Sequence, residues 1–366
     1  MKIAFDCRYV RTDHHDGISR FSARLVEQLA PLAAQRGDEL IMLISDEKQL
    51  AMLPDLPYAT ISSPTSPREP FVASQINKLQ PDIVFSPMQT IGARGRKYKL
   101  VLTVHDLIYY SHPTPPRQFS WPIRLMWRLY HTAWWPQKML LAHSDAVVAV
   151  SETTKKLIQD NKLTTKPVFV VHNAADQPTH ELVVTEASKR SRSIVYMGSF
   201  MPYKNVETLV KAVSLLPDFT LHLTSRISDQ DRQRLSAHAP GATTHFHNGT
   251  SDEDYFDLLT HATALVSASK DEGFGIPLVE AMSLGTPIVV SDIPIFHEIG
   301  GEAALFAPVD DPDAFAEAIA SLTDAQTWDE VSARSKIQAA QFSWKKSASD
   351  LLNVLVKVSG SEINGK

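Results

Sequence analysis

At 366 residues, with a formal net charge of −5 and Cys7 as its one cysteine, the chain exceeds what a single hydrophobic core usually serves, and two packed domains are expected. The charge gives no global basic field, which argues against nucleic acid as a main partner, and one thiol excludes a disulfide framework or a thiolate metal site. The start, Met1-Lys2-Ile3-Ala4-Phe5-Asp6, builds no secretory apolar core, and no segment reaches about eighteen uninterrupted apolar residues. A cytoplasmic protein with at most peripheral membrane contact is expected.

Short apolar runs alternate with amphipathic stretches along the whole chain, the pattern of βα units stacked into parallel sheets. The first strands are expected at Lys2–Cys7, Glu39–Ile44, Asp82–Ser86, Leu100–Val104 and Ala146–Val150. Between the first two, Ile18, Phe21, Leu25 and Leu29 recur at helical spacing from a start at Gly17. Val104-His105-Asp106 closes a buried strand, where doubly wound folds place ligand-binding residues. From Ile108 to Leu141, Tyr109, Tyr110, Trp121, Trp127, Tyr130, Trp134 and Trp135 are interleaved with Arg117, Arg124, Arg128 and Lys138. Aromatics beside cations suit an interfacial segment bordering a lipid-linked or amphiphilic acceptor; the plainer reading has Trp127, Leu129 and Trp134 packing a helix onto the sheet. Ser151-Glu152-Thr153 reads as a helix cap.

Asn173 to Arg192 is polar and aperiodic and reads as the interdomain linker, so the first domain is expected at residues 1–175 and the second at 176–343. A second strand series follows at Ser193–Met197, Phe219–Thr224, Thr244–Phe246, Ala264–Val266 and Pro287–Ser291. Helices are expected at Pro312–Leu322, Trp328–Ala340 and Trp344–Val358, and residues 359–366 read as a frayed tail. The fold class is α/β, with two Rossmann-like doubly wound domains.

The most informative stretch is Asp271-Glu272-Gly273-Phe274-Gly275-Ile276-Pro277-Leu278-Val279-Glu280-Ala281-Met282. A strand ends near Ser269, a glycine-rich turn turns backbone amides toward a ligand, and Pro277 opens a helix whose N-terminus attracts phosphate or sugar hydroxyls. Glu272 in the turn and Glu280 in the helix can flank one hydroxyl-rich ligand, one holding a reacting sugar and the other a ribose. Gly-Phe-Gly is not a dinucleotide fingerprint, since it lacks the third glycine and follows no first strand.

This stretch, continuing through Val289-Val290-Ser291-Asp292 and Glu298 to Ala307-Pro308, resembles the acidic signature of glycosyltransferase family 4, the retaining group 1 enzymes with the two-domain GT-B architecture, and among them bacterial mannosyltransferases. Upstream, Gly198-Ser199-Phe200-Met201-Pro202-Tyr203-Lys204-Asn205 is similar to that family's donor-phosphate loop, and Asp16-Gly17-Ile18-Ser19-Arg20 to its glycine-containing loop. Nearly the whole chain is covered.

The resemblance implies two domains facing a cleft, with the helix 344–358 returning to the first. It implies that Lys204 binds the donor pyrophosphate, that Glu272 positions the donor sugar while Glu280 fixes the ribose, and that His105 touches the transferred sugar. Gly17, Gly198, Ser199, Gly273, Phe274, Gly275 and Ile276 would line the donor. This chain carries Ser199 where many members carry arginine, which leaves phosphate binding there to hydroxyl and amide groups.

The reaction implied moves a hexose, mannose or glucose, from GDP-mannose or UDP-glucose to a hydroxyl of a glycan or glycolipid, with retention. No cofactor and no metal are expected: Asp13-His14-His15-Asp16 is the nearest candidate ligand set, but four adjacent residues in a loop cannot all converge. A nucleotide-sugar epimerase of the same fold and a non-catalytic carbohydrate-binding relative are the rival readings.

Overall fold

The computed structural model describes residues 1–115, 120–176 and 191–361, so Arg117 and most of the expected linker lie outside the described residues. The chain divides into two compact units, Met1–Asn173 with Ser343–Lys366, and Ala174–Phe342.

In the first unit seven parallel strands are described: β1 (Lys2–Asp6), β2 (Glu39–Ile44), β3 (Tyr58–Thr60), β4 (Ile83–Ser86), β5 (Lys99–Val104), β6 (Ala146–Ala149) and β7 (Val168–Val170). Their order, β3-β2-β1-β4-β5-β6-β7, reverses direction between β1 and β4. Central strands buried on both faces read as near-continuous apolar runs, and the wholly buried β4 (IVFS) and β6 (AVVA) do so. The helix Gly17–Arg36 starts where Asp16 accepts the Ser19 amide at 2.9 Å and buries Phe21, Leu25 and Leu29. Each such side chain contributes about 1.5–3 kcal/mol. Along it lies the C-terminal helix Trp344–Ser359, capped by Ser343, with Trp344 edge-on to Phe21 at 6.1 Å and the Ser347 hydroxyl donating to the His172 carbonyl at 2.6 Å.

At the end of β1 sits a buried ionic knot. Arg8 Nε and Nη2 donate to Asp6 at 2.8 and 3.0 Å, and Nη1 and Nη2 to Glu69 at 2.6 and 3.1 Å. A further Nη1 bond reaches the Ser62 carbonyl at 2.9 Å, so the whole guanidinium fork is engaged. Asp6 and Arg8 are almost fully buried, and the knot ties the loops around residues 62 and 69 to the central strand.

The second unit holds β8 (Ser193–Tyr196), β9 (Thr220–Leu223), β10 (Thr244–Phe246), β11 (Ala264–Ser267), β12 (Ile288–Ser291) and β13 (Ala304–Ala307), all parallel, in the order β10-β9-β8-β11-β12-β13. This is the doubly wound mononucleotide-binding order, and its reversal lies between β8 and β11. Leu209, Leu221, Val266, Val289, Phe315 and Trp328 share its core, and Trp328 Nε1 donates to the Thr263 carbonyl at 2.9 Å.

Three strands fall outside the expected series, β3, β7 and β13, and each is an edge strand of three or four residues with no continuous buried run. The helix expected from Trp328 begins at Ala325, because Asp324 caps it by accepting the Thr327 amide at 2.8 Å. Cys7 lies just past β1, fully buried, and burial pushes its thiol pKa well up.

Candidate active site

In a doubly wound sheet the loops leaving the strands on either side of the reversal converge above their carboxyl ends. In the second unit those strands are β8 and β11, and their loops carry the two residues that the sequence singles out most strongly. After β8 the chain makes a short 3-10 turn, Pro202–Lys204, and passes through Asn205 at φ +52° into the helix Val206–Ser214. After β11 it runs through Ser269 to Glu272 and enters the helix Ile276–Ser283. Lys204 Nζ donates to Glu272 Oε1, and the Ser269 hydroxyl donates to the same oxygen at 3.0 Å. Both charged side chains are largely buried, and the loops are stitched by the Lys270 amide donating to the Tyr203 carbonyl at 2.8 Å. Asn205 fastens the turn from behind, donating to the Val309 carbonyl at 2.7 Å.

Two glycines here are demanded by the fold. Gly275 stands at φ +96°, where an L side chain is strained, and lets the chain turn sharply into the helix; Ile276 is the first helical residue and Pro277 the second, one later than expected. At Gly198 a Cβ would come within 2.7 Å of the Tyr196 hydroxyl, which itself donates to the Ser199 carbonyl at 2.6 Å. Burial and the nearby Glu272 carboxylate push the Tyr196 phenol well up, so it remains a donor. The Gly198 amide donates to the Ser225 hydroxyl at 3.1 Å. Tyr196 carries no sequence signal beyond that of an ordinary strand aromatic, and its role as a prop under the loop appears only in three dimensions.

Phe274 packs edge-on against Phe342 at 5.6 Å and is buried, so it anchors the turn. Gly273 is buried and Ile276 half-buried. Glu280 is 3% exposed, which removes the reading of a solvated helix residue.

In the first unit His105 leaves β5 and pairs through Nε2 with the carbonyl of Pro87, just past β4, at 2.7 Å, while its ring stands edge-on to Phe21 at 5.0 Å. A carbonyl can only accept, so Nε2 carries the proton and the Nδ1 of the neutral ring is an acceptor. Burial, against the opposing pull of Pro87 and Asp16, takes its pKa from the ordinary 6.5 to about 4. The unfolded chain therefore takes up the proton first, and the stability linked to this group is lost as the pH falls from about 6.5 through 4. His105→Asn is expected to flatten the acid limb of an unfolding-midpoint profile across that window; an unchanged limb would count against the buried neutral ring. Asp106 secures the loop that follows, accepting the Ile108 amide at 3.1 Å.

Gly17 opens its helix with nothing within 4 Å of where a Cβ would stand, so the fold itself does not require glycine there. The neighbouring polar quartet is spoken for: His14 pairs with Asp13 at 2.9 Å, His15 with Ser19 at 2.7 Å, and Asp16 with Arg11 at 2.6 Å. Among the described residues no group of three or more His, Cys, Asp or Glu side chains is arranged to hold a metal ion. Ser151 caps its helix as expected, accepting the Thr154 amide at 3.0 Å.

Comparison with known proteins bears on both units. The O-antigen chain mannosyltransferase RfbU of Salmonella typhimurium is 27% identical over 227 residues, 60% of this chain and 60% of that protein, so this match spans under two thirds of the relative. The O-antigen chain mannosyltransferase B of Escherichia coli is 28% identical over 270 residues, 70% of each chain. Among solved structures, a sucrose-phosphate synthase from Thermosynechococcus elongatus superposes with a TM-score of 0.74 at 18% identity, covering 99% of this chain and all of that one. Family models match each unit, the Glycosyltransferase Family 4 model over residues 16–177 and the Glycosyl transferases group 1 model over residues 181–342. With one match on each unit, the second of them covering the loops that follow β8 and β11, the chain belongs to the family 4, group 1 glycosyltransferases of GT-B fold.

Proposed function

We propose that the protein is a retaining transferase that moves a hexose, mannose in preference to glucose, from a nucleotide diphosphate sugar to a hydroxyl of a glycan or lipid-linked glycan. The observation that carries this is the junction of Lys204 and Glu272 at the reversal point of a mononucleotide-binding sheet. An ammonium after β8 can neutralise a departing diphosphate, a carboxylate after β11 can accept from sugar hydroxyls, and both are placed before substrate arrives, so little reorganisation is needed in the transition state. The neutral His105 suits the role that the resemblance gives it, a contact to a sugar hydroxyl through Nδ1. The preference for mannose, and hence for GDP-mannose over UDP-glucose as donor, rests on the two O-antigen relatives being mannosyltransferases.

Incubation with a panel of nucleotide sugars, with and without glycan acceptors, tests the reading. Acceptor-dependent nucleotide release and a product with the donor's anomeric configuration are expected; sugar isomerisation without acceptor, or no turnover of any donor, would overturn it.

Activity is expected to persist in excess EDTA, because Lys204 and the amides of the glycine-rich turn supply the positive end that the diphosphate needs. Loss on chelation that magnesium or manganese restores would refute metal independence. Tyr196→Phe is expected to raise the donor KM severalfold with little change in kcat, since it frees the Ser199 carbonyl without touching Lys204. An unaltered KM would remove Tyr196 from the donor loop.

A further inference from the structure

The helix Trp121–Tyr130 turns its apolar side outward. None of its residues is buried; Trp121, Met126 and Leu129 are 75%, 65% and 64% exposed, and Ile123, Leu125 and Tyr130 are exposed as well. At 100° per residue these six sweep an arc of about 200°. The opposite side is the attached one, where Trp127 stands edge-on to Tyr109 at 4.8 Å and contacts His131 at 4.0 Å. Arg124 and Arg128 line one margin of the apolar arc. In the next helix, Trp135–Ala142, Trp135 and Met139 are exposed one turn apart, beside an exposed Lys138. Of the residues that could pack this region onto the sheet, Trp134 does so, stacked on Tyr110 at 4.0 Å against the first unit's core, whereas Leu129 points to solvent.

An apolar arc of this breadth on a helix held from behind is a surface awaiting a cover. Its charge says which. Between Asp106 and Asp145 the chain carries no acidic residue at all, while Arg117, Arg124, Arg128 and Lys138 fall inside, in a chain whose net charge is −5. A second copy meeting this face would bring arginine margins together with no carboxylate from the segment to pair them. We propose that the helix Trp121–Tyr130 is an interfacial anchor that lies in the headgroup region of an anionic lipid bilayer, its apolar arc in the acyl boundary and Arg124, Arg128 and Lys138 among the phosphates. No described helix is long and apolar enough to cross a membrane, so the contact is an in-plane one. The inference leans on the proposed function only for its use, which is to bring the enzyme to a lipid-linked acceptor.

Flotation of the full chain, without donor, with phosphatidylglycerol-containing vesicles and with pure phosphatidylcholine vesicles tests it. Most of the protein is expected to float with the anionic vesicles at low salt and to be released at about 0.5 M salt, where exposed charges are screened. Met126→Ser/Leu129→Ser and, independently, Arg124→Glu/Arg128→Glu are each expected to reduce flotation at least fivefold while keeping the wild-type melting curve; Trp121→Ser, at the helix's first position, serves should either double variant fail to fold. A wild type that stays in the soluble fraction, variants that float like wild type, or a lipid-free dimer that Met126→Ser/Leu129→Ser dissociates would each overturn the anchor. Failure of the catalytic reading shows separately, as absence of nucleotide release in the donor panel with normal flotation.

Discussion

Lys204→Ala and Glu272→Ala are each expected to lower turnover by about a hundredfold or more with the fold retained, the scale seen when one preorganised charge is taken from a reacting centre. The two side chains touch, so their losses cannot be independent. Removing Glu272 leaves a largely buried ammonium without its carboxylate, with the centroid of the Tyr203 ring 5.4 Å from Nζ. Removing Lys204 leaves a carboxylate held by Ser269 alone among the hydrogen bonds described above. The double variant should therefore lose much less than the product of the single losses. Steady-state kinetics on the four proteins of the cycle decide it, and wild-type-like turnover in either folded single variant would end the assignment. Lys204→Arg separates charge from shape: a guanidinium keeps the charge but cannot occupy the same point between Glu272 and the turn, so partial activity is expected.

Arg8→Ala should destabilise the first unit by about 3–5 kcal/mol, since it strands Asp6 and Glu69 as uncompensated carboxylates in a buried site. Replacing the whole knot with apolar residues of similar volume should recover much of that loss, because the cost lies in the unpaired charge rather than in the absence of the pair. Urea unfolding followed by a probe in the first unit measures it. A midpoint equal to wild type would show that the loops around residues 62 and 69 hold without the knot.

The sheets, and the loops that bring Lys204 and Glu272 together in the candidate site, are legible in the sequence for a physical reason. Central parallel strands are buried on both faces and leave unbroken runs such as Ile83–Ser86 and Ile288–Ser291, and their following loops carry chemistry in short, recognisable turns. Edge strands such as Tyr58–Thr60 leave no such run, because one side of each has no neighbour to demand it. The Asp6–Arg8–Glu69 knot was half visible, as two opposite charges at the end of an apolar strand, but Glu69 is remote in sequence and nothing local marks it as their partner. Direction is the least legible property: the sequence of Trp121–Tyr130 suits an amphipathic helix, yet it is in the fold that the apolar side faces out.

The return of Trp344–Ser359 to the first unit has a consequence for how the protein is made. On the ribosome the segment Ala174–Phe342 is complete before the helix that covers Gly17–Arg36 has been synthesised. The second unit is contiguous and can close as soon as it emerges, whereas the first-made half must wait, with the groove for Trp344, Leu351 and Leu355 open, until the helix Trp344–Ser359 has emerged as well. Birth order and folding order are thus inverted. A released chain ending at residue 342 should display a protease-resistant second unit joined to a first unit that is still cleavable.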